Sequence, residues 1–177
     1  MTEEIFEIFD QKNRLIGTAP RSEAHKKGLY HRGVNVFVVN NKGEIFLQRR
    51  SENKDTNPGK WCYGAGEHLK PGETYEEAAK RGLEEELGIK ESKPVLIRGA
   101  KLIEVVHTNG KIDKEFDALF VVKAEGPFKL DPSEVAEGKF LKMSEIEEKI
   151  KSNSKEFTEF FLKEWEDFKK SFQNGFK

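Results

Sequence analysis

A chain of 177 residues is long enough to bury one substantial core and short for two. With 31 Lys and Arg against 32 Asp and Glu, its net charge of -1 lacks the broad basic footprint of a duplex-binding protein. Bulk nucleic-acid binding is therefore disfavoured, while a local basic patch for phosphate is not.

The single cysteine, Cys62, excludes an intrachain disulfide and fits a reducing compartment. The start, MTEEIFEIFD, is acidic and has no long apolar core, so it does not read as a signal peptide. The longest strongly apolar stretch, around Val34 to Val39, is far too short to span a bilayer. The expectation is a cytoplasmic protein that does not enter membranes.

No repeat or Gly/Ser linker divides the chain, so one domain is expected over 1–177. Residues 4–9 and 14–19 read as strands around Asp10-Gln11-Lys12-Asn13, a hairpin within an N-terminal extension over 1–30. Val34, Val36 and Val38 alternate with Asn35, Phe37 and Val39, which predicts a strand covered on both faces. Asn40-Asn41-Lys42-Gly43 supplies turn chemistry before a strand from Glu44 to Arg49.

From Thr74 to Leu87 the period becomes helical. Thr74 and Glu77 have capping-box spacing, Ala78, Ala79, Leu83 and Leu87 form an apolar stripe, and Gly88 ends the helix. Strands over 95–107 and 112–123 come next, joined across Asn109-Gly110, and a shorter one lies near 135–142. The C-terminal part, 144–173, reads as two helices. One starts at Ser144 with Glu147 three residues on. The other runs from 154 to 172 with Phe157, Phe161, Trp165, Phe168 and Phe172 as a core-facing stripe. A mixed sheet between helices is the natural architecture.

The chemistry is concentrated in Trp61 to Ile89, WCYGAGEHLKPGETYEEAAKRGLEEELGI. A Gly-rich loop enters a capped helix that carries Glu84, Glu85 and Glu86 in its last turns. Three adjacent carboxylates there oppose the helix dipole and repel each other, an arrangement that invites a cation. Carboxylate oxygens suit Mg²⁺ or Mn²⁺, which can bridge to a diphosphate. An isolated Glu-Glu-Glu run is more often just a solvated face, so the spacing has to decide.

That segment resembles the Nudix box, G-x5-E-x7-R-E-U-x-E-E-x-G-U with U a bulky aliphatic residue. Glu73, Arg81, Leu83, Glu85, Glu86, Gly88 and Ile89 match seven of its nine specified positions at fixed spacing. The resemblance implies an α/β/α sandwich of the α+β type with a mixed sheet. It also implies metal-dependent hydrolysis of a pyrophosphate bond in a nucleoside diphosphate linked to another group. Carried over residue by residue, Glu86 and Glu85 are expected to ligate the metal, with the Gly66 carbonyl, while Glu73 and Arg81 form a structural ion pair. His68, in the same loop, is a further candidate ligand. Glu67, Glu85 and Glu115 are candidates for the general base.

Two positions depart from the box. Its first Gly is Glu67 here, and the Glu after Arg81 is Gly82. Glycine mid-helix costs about 1 kcal/mol relative to Ala, with no gain visible in the sequence. Either Glu67 places a carboxylate near the same metal from the loop side, or the box is degenerate and the domain binds a nucleotide or partner with little turnover.

The likeness extends over most of residues 3–123, to Nudix hydrolases similar to isopentenyl-diphosphate isomerase. The stretch HRGVNVFVVNNKGEIFLQRRSENKDTNPGKW carries it, with Arg49, Arg50 and Lys54 as candidates to hold phosphate. In the isomerase, histidines serve a metal site, and His25, His31 and His68 lie near matching places. Glu115 and Asp117 alternate on a strand and share a side. The isomerase, however, needs a Cys two residues before the His matching His68. Gly66 stands there, and Cys62 is too far upstream to replace it. The expected partner is a small-molecule diphosphate, with the N-terminal hairpin available as a homodimer interface.

Overall fold

A computed structural model of the chain describes residues 3–173 and 175. Its centre is strand β3 (Tyr30–Val39), whose alternating valines and aromatics cover both faces as the sequence predicts. One edge of β3 pairs in parallel with β8 (Ile112–Lys123) along its whole length, Tyr30 opposite Lys114 and Val39 opposite Lys123. The other edge is shared. It meets β1 (Ile5–Phe9) at Tyr30, β6 (Ala65–His68) over Gly33 to Val36, and β4 (Ile45–Arg50) at Val38 and Val39.

Further strands extend both flanks. β2 (Leu15–Pro20) pairs β1, β5 (Trp61–Cys62) and β9 (Val135–Leu141) pair β4, and β7 (Val95–Val106) pairs β8. The β7–β8 hairpin turns at Asn109-Gly110 as expected, with Gly110 at φ 83° and its N–H on the His107 carbonyl.

Strand alternation sorts two cores. Val34, Val36, Val38, Ala118 and Phe120 face helix α2 (Tyr75–Leu87), meeting Ala78, Ala79, Leu83 and Leu87. Phe37, Leu119 and Val121 face the opposite layer, where α3 (Met143–Asn153) and α4 (Glu159–Gln173) supply Ile146, Phe161, Trp165 and Phe168. The expected α/β/α sandwich is thus formed, and the aromatic stripe is core. Among the described residues, no helix is long and apolar enough to cross a membrane.

Helix α2 has the predicted ends. Thr74 Oγ1 accepts the Glu77 N–H while Glu77 Oε2 accepts the Thr74 N–H at 2.9 Å, and Gly88 closes the helix at φ 71°.

Both C-terminal helix starts differ from expectation. In α3 the Lys142 N–H, not that of Ser144, is taken by a carboxylate three residues on, Glu145, at 2.8 Å. The last helix does not run from 154. A 3-10 turn at Ser154–Glu156 ends at an extended Phe157, and α4 follows Thr158, whose Oγ1 accepts the Phe161 N–H. Pairing with β5 explains the break, because Phe157 bridges Trp61 and the Thr158 N–H donates to the Trp61 carbonyl. A short helix, α1 (Arg21–Lys27), completes the N-terminal region and packs Ala24 under Phe6 and Ile8.

Candidate active site

The last two turns of α2 send the three glutamates in different directions. Successive residues step by about 100° around a helix, so Glu84 is exposed, Glu85 is half-exposed and Glu86 is buried at 5% exposure. Glu86 therefore points inward by itself. Its two oxygens accept from the Gly66 N–H at 2.8 Å and from Gln48 Nε2 at 2.5 Å. Burial, then the nearby Glu67 carboxylate, pushes its pKa up to about 8.

Gly66 lies opposite Asn35 yet gives its N–H to Glu86 rather than to β3. In an antiparallel strand the carbonyl of a residue shares the direction of its N–H, so the Gly66 oxygen also faces the open edge beside α2. A Cβ at Gly66 would sit 2.8 Å from the Tyr63 ring and 3.0 Å from Asn35 Oδ1, which reserves the position for glycine.

Arg81 fixes the loop to the helix. Its guanidinium bonds both oxygens of Glu73, at 2.9 and 3.0 Å, and the His68 carbonyl at 2.8 Å, the fork geometry suited to a carboxylate. Its remaining nitrogen lies 2.8 Å from Glu67 and 3.4 Å from Glu85. The paired Glu73 and Arg81 read from the sequence are thus in contact. Burial raises the pKa of Glu67, with Arg81 working against that rise. Gly82, one residue on, is buried, and a Cβ there would meet Glu67 Cγ at 2.7 Å.

Glu67 and His68 are neighbours on β6 and so point to opposite faces. Glu67 is opposite Val34 on the α2 side, and His68 is opposite Gly33 on the other. There His68 meets His25 from α1 and His31 from β3, with ring centroids 5.1 to 5.4 Å apart and Phe6 against all three. One nitrogen from each ring lies within 4.8 Å of the others. Burial first lowers all three histidine pKa values, to about 4 for His25 and about 3 for His31, so the rings are neutral at pH 7.

Glu115 Oε1 lies 3.5 Å from His68 Nε2 and 3.8 Å from His31 Nε2. Asp113 reaches His25 Nε2 at 3.0 Å and His107 Nε2 at 2.5 Å. Burial works against the Asp113 carboxylate, yet the hydrogen bond from His107 and the other imidazoles lower it to about 2. Glu115 and Asp117 share a side, as their alternation predicts, above Gly33, where a Cβ would meet an oxygen of each at 2.2 Å. Burial pushes both carboxyls well up, helped by Asp113 at Glu115 and by Glu115 at Asp117.

The expected residues therefore fall into two groups around one cleft of about 1600 Å³. Glu67, Glu85, Glu86 and Gly66 gather at α2, while Glu115 and the His68 ring join the histidine group. Arg50 and Lys54 line the cleft, the latter paired with Glu134; Arg49 does not, being held by the Gly59 carbonyl at 2.8 Å and near Glu137 and Glu52. Cys62 is buried, and burial pushes its thiol up to about 12.

Two participants were missed in the sequence. Gln48 precedes Arg49 and Arg50 and lines the cleft with Arg50, where two-residue alternation along β4 places it. Asp113 extends the 113-115-117 alternation by one step, a signal that was available.

A family model described as the NUDIX domain matches residues 29–161. The chain belongs to the Nudix family. It is 36% identical over 149 residues to an isopentenyl-diphosphate Delta-isomerase of Streptomyces griseus, covering 82% of this chain and 74% of that one. It is 30% identical over 145 residues to an uncharacterized Nudix hydrolase of Pseudomonas aeruginosa, covering 78% and 79%. Among solved structures, the MutT protein from Methanosarcina mazei matches with a TM-score of 0.64 at 25% identity, over 84% of this chain and 96% of that one. A Deinococcus radiodurans crystal structure, at 20% identity and a TM-score of 0.68 over 85% and 90%, shares the fold. Family membership makes this an enzyme of the Nudix-hydrolase type.

Divalent cations are general in Nudix enzymes, and the residues at α2 fit one. Their donors are all hard oxygens, and Glu86 is a buried carboxylate whose nearest partners are neutral N–H groups.

Proposed function

We propose that this Nudix enzyme hydrolyses the pyrophosphate bond of a small diphosphate compound, a nucleoside diphosphate linked to another group being the leading class. The observation that carries the reading is Glu86, buried and held inward by Gln48 and the Gly66 N–H, with no ion pair among the described residues. Mg²⁺ or Mn²⁺ held by Glu86 and the Gly66 carbonyl would neutralise phosphate charge and acidify water.

The chain's own residues do the rest. Arg50 and Lys54, on the cleft wall, orient the diphosphate. Arg81 locks the loop against α2, so that Gly66 and Glu86 keep their relative position. Of the three candidate bases, Glu85 is the best proton acceptor, being half-exposed at the cleft and reachable by water. Glu115 is the poorest placed, because it is buried on the imidazole face away from Glu86, where burial and then Asp113 push its carboxyl well up.

Phosphate release from a panel of diphosphates, with Mg²⁺ or Mn²⁺, tests this in wild type and Glu86→Gln. A metal-dependent turnover that falls at least about a hundredfold in the variant, about 2.7 kcal/mol of transition-state stabilisation, supports it. Absence of turnover across the panel with nucleotide binding retained would make the domain a binding module.

A second reading, isopentenyl-diphosphate isomerisation, draws support from the neutral trio His25, His31 and His68 beside Glu115. Against it stand Gly66 in place of the needed Cys and a Cys62 thiol pushed too high to titrate near neutrality. Conversion of isopentenyl diphosphate without phosphate release would reverse that preference.

A further inference from the structure

Gly82 is a costly residue for its place. It is buried in the third turn of α2, where glycine is about 1 kcal/mol worse than alanine. It is also one helical turn before Glu86, so a side chain there would project onto the same face as Glu86. That space is filled from another element. A Cβ on Gly82 would lie 2.7 Å from Glu67 Cγ and 3.7 Å from both Glu67 Cβ and Ala65 Cβ. Methylene carbons of a half-buried side chain clamped at its far end cannot retreat easily. The clamp is Arg81, 2.8 Å from the Glu67 carboxylate and itself fixed by Glu73 and the His68 carbonyl.

The register explains why Glu67 can do this. It faces α2 because it stands opposite Val34, whose side chain packs in the α2 core. The two departures from the box are therefore coupled in space. Where the box has glycine on the strand and glutamate on the helix, this chain has Glu67 on the strand and Gly82 on the helix.

We infer that Glu67, delivered from β6 through the space left by Gly82, is the second carboxylate facing the divalent cation beside Glu86. This rests on the metal-dependent reading above. A purely structural Glu67, serving only as a partner for Arg81, is the competing account.

Titration of the protein with Mn²⁺ alone, read by the loss of the free-ion electron paramagnetic resonance signal, separates the two. The site to track is the one that Glu86→Gln weakens. Glu67→Gln, which keeps shape and removes charge, is expected to weaken it at least about tenfold. Glu67→Gly should do the same, and Glu67→Gly combined with Gly82→Glu should recover most of the lost affinity, because the carboxylate returns from the helix side. Unchanged affinity in Glu67→Gln, or a double variant no tighter than Glu67→Gly in a chain that still melts cooperatively, would overturn the inference. If Glu86→Gln also leaves Mn²⁺ affinity unchanged, the metal-dependent reading itself fails.

Discussion

Replacing Glu86 by glutamine should make the metal-free protein relatively more stable as pH rises, even though the proposed function expects it to cripple the site. The folded-state pKa of Glu86 is raised, from 4.5 to about 8. Between those values the folded chain keeps a proton that the unfolded chain has lost, so wild-type stability falls as pH rises through that window and levels off above about 8. At 1.36 kcal/mol per pH unit, the loss between pH 5 and pH 7 is about 2.5 kcal/mol. The glutamine of the variant does not titrate and is spared it. It also turns one acceptor into a donor facing Gln48 or the Gly66 N–H, a fixed cost of about 1–3 kcal/mol that is independent of pH. The diagnostic is therefore the pH slope rather than the absolute difference. Urea unfolding with EDTA at pH 5, 6, 7 and 8 should show the variant gaining on wild type by about 2.5 kcal/mol from pH 5 to 7. Parallel curves would refute the claim that burial outweighs the charges around Glu86. Added Mn²⁺ should erase the wild type's disadvantage, because it supplies that charge.

Arg50→Ala should raise KM about tenfold for a diphosphate substrate, while Arg49→Ala should change it far less, since only Arg50 lines the cleft. Steady-state kinetics with the two variants checks this, and equal effects would contradict the assigned faces of β4. Gly33→Ala should destabilise the fold by about 1–3 kcal/mol, because its methyl would displace the ends of Glu115 and Asp117; chemical denaturation measures it. Phe161→Ala, removing a fully buried ring stacked on Phe157 and Trp165, should cost about 3–5 kcal/mol by the same measurement.

Local signals carried most of the fold. Thr74, Glu77 and Gly88 mark the ends of α2 because capping chemistry acts within a few residues, and the valines of β3 mark a strand because both of its faces are buried. The break before α4 was not legible. Phe157 continues the helical spacing of Phe161, Trp165 and Phe168, and only the distant pairing with Trp61 shows it to be extended. The site divides in the same way. Glu73 and Arg81 could be paired from spacing along one segment. That Gly82 makes room for Glu67 depends on how β6 registers against β3, which no spacing within the box encodes. Arg49 and Arg50 show the cost of lacking that information, since adjacent strand residues face opposite ways and only one reaches the cleft.

The same parity bears on the two kinds of name, hydrolase and isomerase, carried by this chain's relatives. On β6, Glu67 turns to the α2 face and His68 to the face of His25, His31 and Glu115. A four-residue strand thus presents an oxygen set and an imidazole set to opposite sides of one cleft. The sets differ in what they ask of a cation. Glu86 must surrender a proton held up to about pH 8, whereas His25 and His31 are already unprotonated above about pH 4. The chemistry then turns on the groups around the diphosphate. Here a glycine occupies the place of the isomerase cysteine, and a carboxylate occupies the space above Gly82. The glycine leaves no thiol on the imidazole face, and Glu67 adds an oxygen donor on the α2 face, an arrangement that suits the hydrolytic reading proposed above once a cation offsets the added charge.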